Sequence, residues 1–224
     1  MNTNLIEILK IELDYRSNKT ENIIYLRNKT KDNLFLIIEN KYYLSNDSTI
    51  ITINFNLHNF NLKIFKINKL YNHYLLDTIK FNFSNWKING IGGNSLIETP
   101  NGKLNLQNID YTKNNTIYDS LLNKILIKCI IIYKIDNNTT TNNNIFPITI
   151  YKNNFGLNLP NSDFDITING NLRVKKFIMS GRQIFLNTIF NNDYYIYNII
   201  TENVSSMLVN GFILDSLNVN ILNC

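Results

Sequence analysis

Alanine is absent from this 224-residue chain, and valine and arginine occur only four times each. Alanine is the strongest helix former, so its absence removes the usual filler of surface helices. Its place is taken by 44 asparagines, which rank low in helices because the side chain competes for backbone hydrogen bonds. Cysteine occurs twice, at Cys129 and Cys224, too few for a disulfide scaffold. The two histidines, His58 and His73, stand far apart with no cysteine beside them, which argues against a zinc site. No apolar run approaches the roughly 18 residues of a membrane-spanning helix. The opening Met1–Lys10 has no basic region before its apolar residues and is interrupted by Glu7, so a secretory signal is not expected.

Glycine is also sparse, with eight residues, and only Gly90-Ile-Gly-Gly-Asn-Ser95 is glycine-dense. It lacks the Lys-Ser/Thr of a phosphate loop and the spacing of a dinucleotide loop, so it reads as a turn and bulge between strands. Asp163 and Asp165 sit on one face of an alternating stretch, beside Asn161 and Ser162, and read as solvated loop charges rather than a calcium loop. Ser95 and Ser180 have no histidine at a spacing that connects to them. No catalytic residue, cofactor site or metal site is therefore expected.

What is present favours strands. Ile, Tyr and Phe suit a pleated, half-buried surface, and the apolar share of 44% is enough to build a core. Ile51-Thr-Ile-Asn-Phe-Asn-Leu57 alternates with period two. The alternation resumes one step out of phase after His58-Asn59, as Phe60-Asn-Leu-Lys-Ile64, the signature of a bulge within one strand. Ile79-Lys-Phe-Asn-Phe83, Leu104-Asn-Leu106, Ile148-Thr-Ile150 and Ile166-Thr-Ile168 repeat the pattern. Asn101-Gly102 marks a hairpin between Leu96–Thr99 and Lys103–Leu106, and Asn169-Gly170 marks another between Ile166–Ile168 and Leu172–Val174.

The N-terminal segment fits helix and strand equally: Asn4-x-x-Glu7 resembles a capping box, yet Leu9, Ile11 and Leu13 alternate. Tyr118 to Leu126 and Glu202 to Leu208 are candidates for a turn or two of helix. The expected fold is mainly β, an antiparallel β-sandwich of jelly-roll type with at most a few short helices. It spans residues 1–224 as a single domain, with a mobile Asn/Thr-rich loop around 136–144.

Functional expectations rest on surface composition. The net charge of +5 is scattered, without the basic patch of a nucleic-acid binder. Tyrosines cluster at Tyr42, Tyr43, Tyr71, Tyr74, Tyr194, Tyr195 and Tyr197, and rigid amphipathic rings recur at protein interfaces. Cys129 lies in an apolar run as a small hydrophobe, whereas Cys224, on a loose exposed end, is a candidate intermolecular thiol. The residues encoded by AT-rich codons (Asn, Ile, Lys, Tyr, Phe) dominate.

The expected role is structural. It is that of a self-assembling capsid, minor capsid or occlusion-type component of an AT-rich virus, partnered by its own copies and by other structural proteins. It would reside in the virion or in the host cytoplasm or nucleus. The alternative is a nucleic-acid-binding module of organellar ribosomal or single-strand-binding type, resting on the basic balance and on Lys63, Lys66, Lys69, Tyr71 and Tyr74.

Overall fold

The alternating apolar pattern becomes sheet throughout. The computed structural model describes residues 5–16, 21–56, 59–67, 72–83, 90–93, 95–113, 115–136, 147–152, 164–167, 174–177, 182–186, 194–209, 212–218 and 222. Among them there are twenty strands, a 3-10 turn at Leu106–Asn108 and no α-helix.

The first strands are β1 (Ile6–Asp14), β2 (Asn22–Asn28), β3 (Leu34–Ile38), β4 (Lys41–Ser45), β5 (Ile50–Phe55), β6 (Asn59–Ile67) and β7 (His73–Asn82). After them come β8 (Ile91–Gly92), β9 (Leu96–Thr99), β10 (Gly102–Asn105), β11 (Thr116–Tyr118) and β12 (Lys124–Ile135). The remainder are β13 (Pro147–Lys152), β14 (Phe164–Thr167), β15 (Val174–Phe177), β16 (Arg182–Leu186), β17 (Tyr194–Thr201), β18 (Ser206–Val209), β19 (Phe212–Asp215) and β20 (Leu217–Asn218).

They form three sheets. The largest has eleven strands, with β16-β13-β14-β8-β17-β12-β1-β2-β5 in order, β11 on β12 and β20 on β17. A four-stranded sheet runs β4-β3-β6-β7, and a five-stranded sheet runs β10-β9-β18-β19-β15. Pairing is antiparallel except for β1 with β12 and β17 with β20, which are parallel.

Strand alternation sends side chains of the large sheet into two separate cores. Ile11 and Leu13 of β1, Cys129, Ile131, Tyr133 and Ile135 of β12, and Ile24 and Leu26 of β2 meet the inward residues of the four-stranded sheet. Phe55, Phe60, Phe81 and Phe83 close that core with ring centroids 4.6 to 5.9 Å apart. Ile130 and Ile132, one residue out of step, point the other way and pack with Ile97, Met207, Val209 and Leu214 from the five-stranded sheet. The central strands are thus covered on both faces, which gives a layered, sandwich-like mainly β architecture.

Three sequence expectations change, and one left open is resolved. The phase slip at His58-Asn59 is a change of sheet rather than a bulge: β5 pairs with β2 in the large sheet, and β6 begins the four-stranded sheet by pairing with β3 and β7. Phe55 and Phe60, on either side of the crossing, both turn into the first core, and the phase must reset for them to do so. The second hairpin does not form, because β14 pairs with β13 and β8 while β15 pairs with β19 in another sheet. The N-terminal segment resolves to strand, its apolar side chains being required on the sheet's inner face. Tyr118 to Leu126 and Glu202 to Leu208 hold turns leading into β12 and β18, not helices.

The hairpin about Asn101-Gly102 does form, in the register Gly102↔Thr99 to Asn105↔Leu96. Gly102, at φ +104, supplies the positive dihedral the turn needs. The segment 137–146, which contains most of the Asn/Thr tract, lies outside the described residues.

Candidate functional site

Two regions carry side chains that the cores do not explain. The first is a polar cavity on the side of the large sheet that faces the second core. Lys10 and Glu12 stand on β1 in register with Ile130 and Ile132 of β12, and Lys10 also pairs across to Tyr25 of β2. Lys134, two residues beyond Ile132, pairs with Tyr195 of β17, and Ile132 pairs with Tyr197. Period-two alternation therefore projects three charges and three tyrosines from four adjacent strands onto one face.

Glu12 is the centre of the arrangement. Its Oε1 accepts from Lys10 Nζ at 2.7 Å, and its Oε2 accepts from Lys134 Nζ at 2.5 Å. Tyr25 donates its hydroxyl to Oε1 at 3.3 Å. Burial alone would push the Glu12 carboxyl up, but the Lys10 and Lys134 ammonium groups overcome this and hold it below the ordinary value. Asp14, the next acid on the same face, is engaged elsewhere by Arg16 at 2.8 and 2.5 Å. Lys10 Nζ lies 4.0 Å from the centre of the Tyr25 ring and 3.9 Å from that of Tyr111, between two aromatic faces. Burial and then the Glu12 charge push Tyr25 up to about 12, so its phenol stays protonated and able to donate.

The loop that brings Tyr111 is built from local bonds. Asp110 accepts from the Thr112 hydroxyl at 2.5 Å and its amide at 3.1 Å, and Lys113 lies 3.0 Å away. These contacts hold the Asp110 carboxyl at about 2. Arg27 ties the loop to the sheet by bonding the Thr112 carbonyl and pairing with Glu7 at 3.0 Å.

The opposite wall comes from the glycine-dense segment. Gly93 donates to the Tyr195 carbonyl at 3.3 Å and accepts from the Gln107 amide at 3.0 Å. A Cβ on Gly93 would stand 2.7 Å from the Tyr197 ring, so only glycine allows this approach. The cavity is open to solvent and measures about 290 Å³, with Ile130, Ile132, Leu106 and Ile109 as its apolar floor and sides.

The second region is the outer face of the four-stranded sheet. Cross-strand register places Phe35 and Ile37 of β3 beside Leu44 and Tyr42 of β4, and Phe35 beside Phe65 of β6, which in turn faces Leu75 of β7. The Phe35 ring lies 5.5 Å from Tyr42 and 5.2 Å from His73. Tyr42, Leu44 and Leu75 are 65%, 59% and 56% exposed, and Leu76 is 43% exposed.

Comparison with protein-family models, curated sequences and solved structures finds no match to this chain.

The tyrosines singled out from sequence are divided between the two regions. Tyr42 lies on the outer face, and Tyr74, exposed and opposite Lys66, is one residue out of step with Leu75 on the same strand. Tyr43 turns inward against the first core, where burial and then Glu39 push its hydroxyl up. Tyr195 and Tyr197 line the cavity, and Tyr197 is buried. Tyr194 begins β17 opposite Ile135, and its side chain lies outside the described residues, as do Tyr71 and Cys224 altogether. Cys129 is buried in the first core, and burial pushes its thiol up.

Sequence reasoning missed Lys10, Glu12, Tyr25, Tyr111 and Lys134. The signal was available in β1 and β12, where charged residues interrupt otherwise apolar strands at alternating positions. In a strand covered on both faces, such charges need partners across the sheet.

Proposed function

We propose that this chain is a structural assembly protein whose copies join through the four-stranded sheet. The observation that carries the reading is the outer face and end strand of that sheet, where Tyr42, Leu44, Leu75 and Leu76 remain largely exposed. Contiguous exposed apolar residues on a folded surface mark interaction sites.

A second copy of the chain suits this surface because of its edge. β7 is the terminal strand in the sheet order and runs for ten residues, so a two-fold-related β7 can extend the sheet without repacking. The aliphatic share of the face, Ile37, Leu44, Leu75 and Leu76, favours protein over stacked bases. The AT-rich codon signature and the layered β architecture support placing such an assembly in a virus particle.

Sedimentation velocity over a range of concentrations tests the reading. The unaltered chain is expected to sediment as a dimer or larger species, and the double variant Leu75→Lys, Leu76→Lys as a folded monomer. A monomer at every concentration for the unaltered chain would overturn it. Retention on single-stranded DNA that weakens steeply with salt would favour the nucleic-acid reading instead.

A further inference from the structure

The Lys10–Glu12–Lys134 cavity is independent of the assembly face, and its composition specifies a ligand. Two ammonium groups converge on one carboxylate, and Asp14 is held by Arg16, so the site keeps one uncompensated positive charge. The three charged side chains are only 10% to 17% exposed, which makes that imbalance costly to leave unanswered. Each ammonium carries three N–H donors, and Glu12 accepts one from each.

The rest of the cavity is not shaped for a bare inorganic ion. Ile130, Ile132, Leu106 and Ile109 contribute apolar lining, and Tyr111 and Tyr197 add aromatic rings. Burial and then the Glu12 charge push the hydroxyls of Tyr111 and Tyr197 up, so both stay neutral donors at physiological pH. The volume of about 290 Å³ lies at the small end of ligand pockets.

We propose that this cavity binds a small organic carboxylate, its anionic group on Lys10 and Lys134 beside Glu12, and its ring-sized apolar body against Ile130, Ile132 and Tyr197. Lys134 supplies the charge that decides between a carboxylate and a neutral molecule of the same shape. Lys10, clamped between Tyr25 and Tyr111, fixes the position of the pair.

Benzoate is a suitable probe, with benzyl alcohol as its uncharged counterpart and inorganic phosphate as an anion without an apolar body. Ligand-observed NMR on the full chain is expected to show benzoate binding with a Kd of about 1 mM or tighter. Benzyl alcohol and phosphate should each bind at least about tenfold more weakly. Lys134→Met should abolish discrimination between benzoate and benzyl alcohol, and Lys134→Arg, which restores the charge, should recover it. Circular dichroism melts establish that both variants fold.

If benzoate fails to bind, or binds equally well to the folded Lys134→Met variant, the proposal is overturned. Phosphate binding as tightly as benzoate would reduce the cavity to a simple anion site and overturn the organic part. None of these readouts depends on the oligomeric state, so failure here leaves the assembly reading standing, and the converse holds as well.

Discussion

The two sides of the large sheet use the same strands for opposite purposes. On one side β1 offers Ile11 and Leu13 to a predominantly apolar core closed by four phenylalanines. On the other it offers Lys10 and Glu12, one residue away in each case, to a cavity whose charges pair around Glu12 with one positive charge left over. The difference lies in what each side must achieve. The first side excludes water and stabilises through area and close packing. The second keeps water-accessible charge inside the fold, so its stability depends on matching partners rather than on filling space. One strand therefore contributes to both stability and recognition, with the pleat keeping the two apart.

The largest expected effect tests the apolar side. Phe55→Ala removes a fully buried ring 4.6 Å from Phe60 and 5.5 Å from Phe83, and should cost about 4 kcal/mol in urea denaturation. If the loss were smaller than that of any cavity variant, the contrast between the two sides would be wrong.

Glu12→Gln comes next, at about 2 kcal/mol, because Lys10 and Lys134 would then face each other with no anion between them. The figure sits below that for a fully buried pair because water still reaches the site. Glu12 is held below its ordinary 4.5 in the folded chain, so its contribution is complete above that pH and is lost as pH falls through the folded value. The melting-temperature gap between the unaltered chain and Glu12→Gln should therefore close in acid and stay constant around neutrality.

Gly93→Ala tests the far wall of the cavity. The added methyl must displace the Tyr197 ring, at a cost of about 1 to 2 kcal/mol, and ligand binding in the cavity should weaken in parallel. Tyr25→Phe is smaller, about 1 kcal/mol, since it removes one hydroxyl bond to Glu12 and leaves the ring over Lys10. The Tyr25 hydroxyl is raised to about 12, so its share is fully present below 10 and is lost as pH rises through about 12. Alkaline denaturation of the two chains should converge there. Smallest is Lys103→Ala: its pair with Glu98 spans 3.2 Å on an exposed hairpin, and under about 0.5 kcal/mol is expected by thermal melting.

Local pattern was legible in the sequence, and long-range pairing was not. Period-two runs correctly marked β5, β6 and β7, and Asn101-Gly102 marked the β9–β10 hairpin, because alternation and turn chemistry are properties of neighbouring residues. The slip at His58-Asn59 was visible, but its meaning was not: a bulge and a change of sheet produce the same slip. The second hairpin was misread because β14 takes β13 and β8 as its neighbours while β15 takes β19, pairings that no local rule specifies. The cavity was illegible for a related reason. Lys10, Glu12 and Lys134 are brought together only by the parallel register of β1 on β12, which no local rule specifies. Tyrosine clustering found Tyr195 and Tyr197 but attributed them to a surface role, since sequence does not tell which face of β17 is covered.

That parallel pairing also dictates an order of events during synthesis. β1, β2 and β5 leave the ribosome together and can zip into an antiparallel ribbon at once. The other long edge of β1 must then wait until β12 has been translated, and the ribbon's second neighbour, β17, emerges later still. Throughout that interval Ile11 and Leu13 have no β12 beside them, and the strand offers its open backbone to any extended segment nearby. Folding should therefore be slow, dominated by contacts distant along the chain, and sensitive to holdase chaperones during translation. The price of placing β1 between β2 and the distant β12 is a long period of vulnerability before its last neighbour arrives.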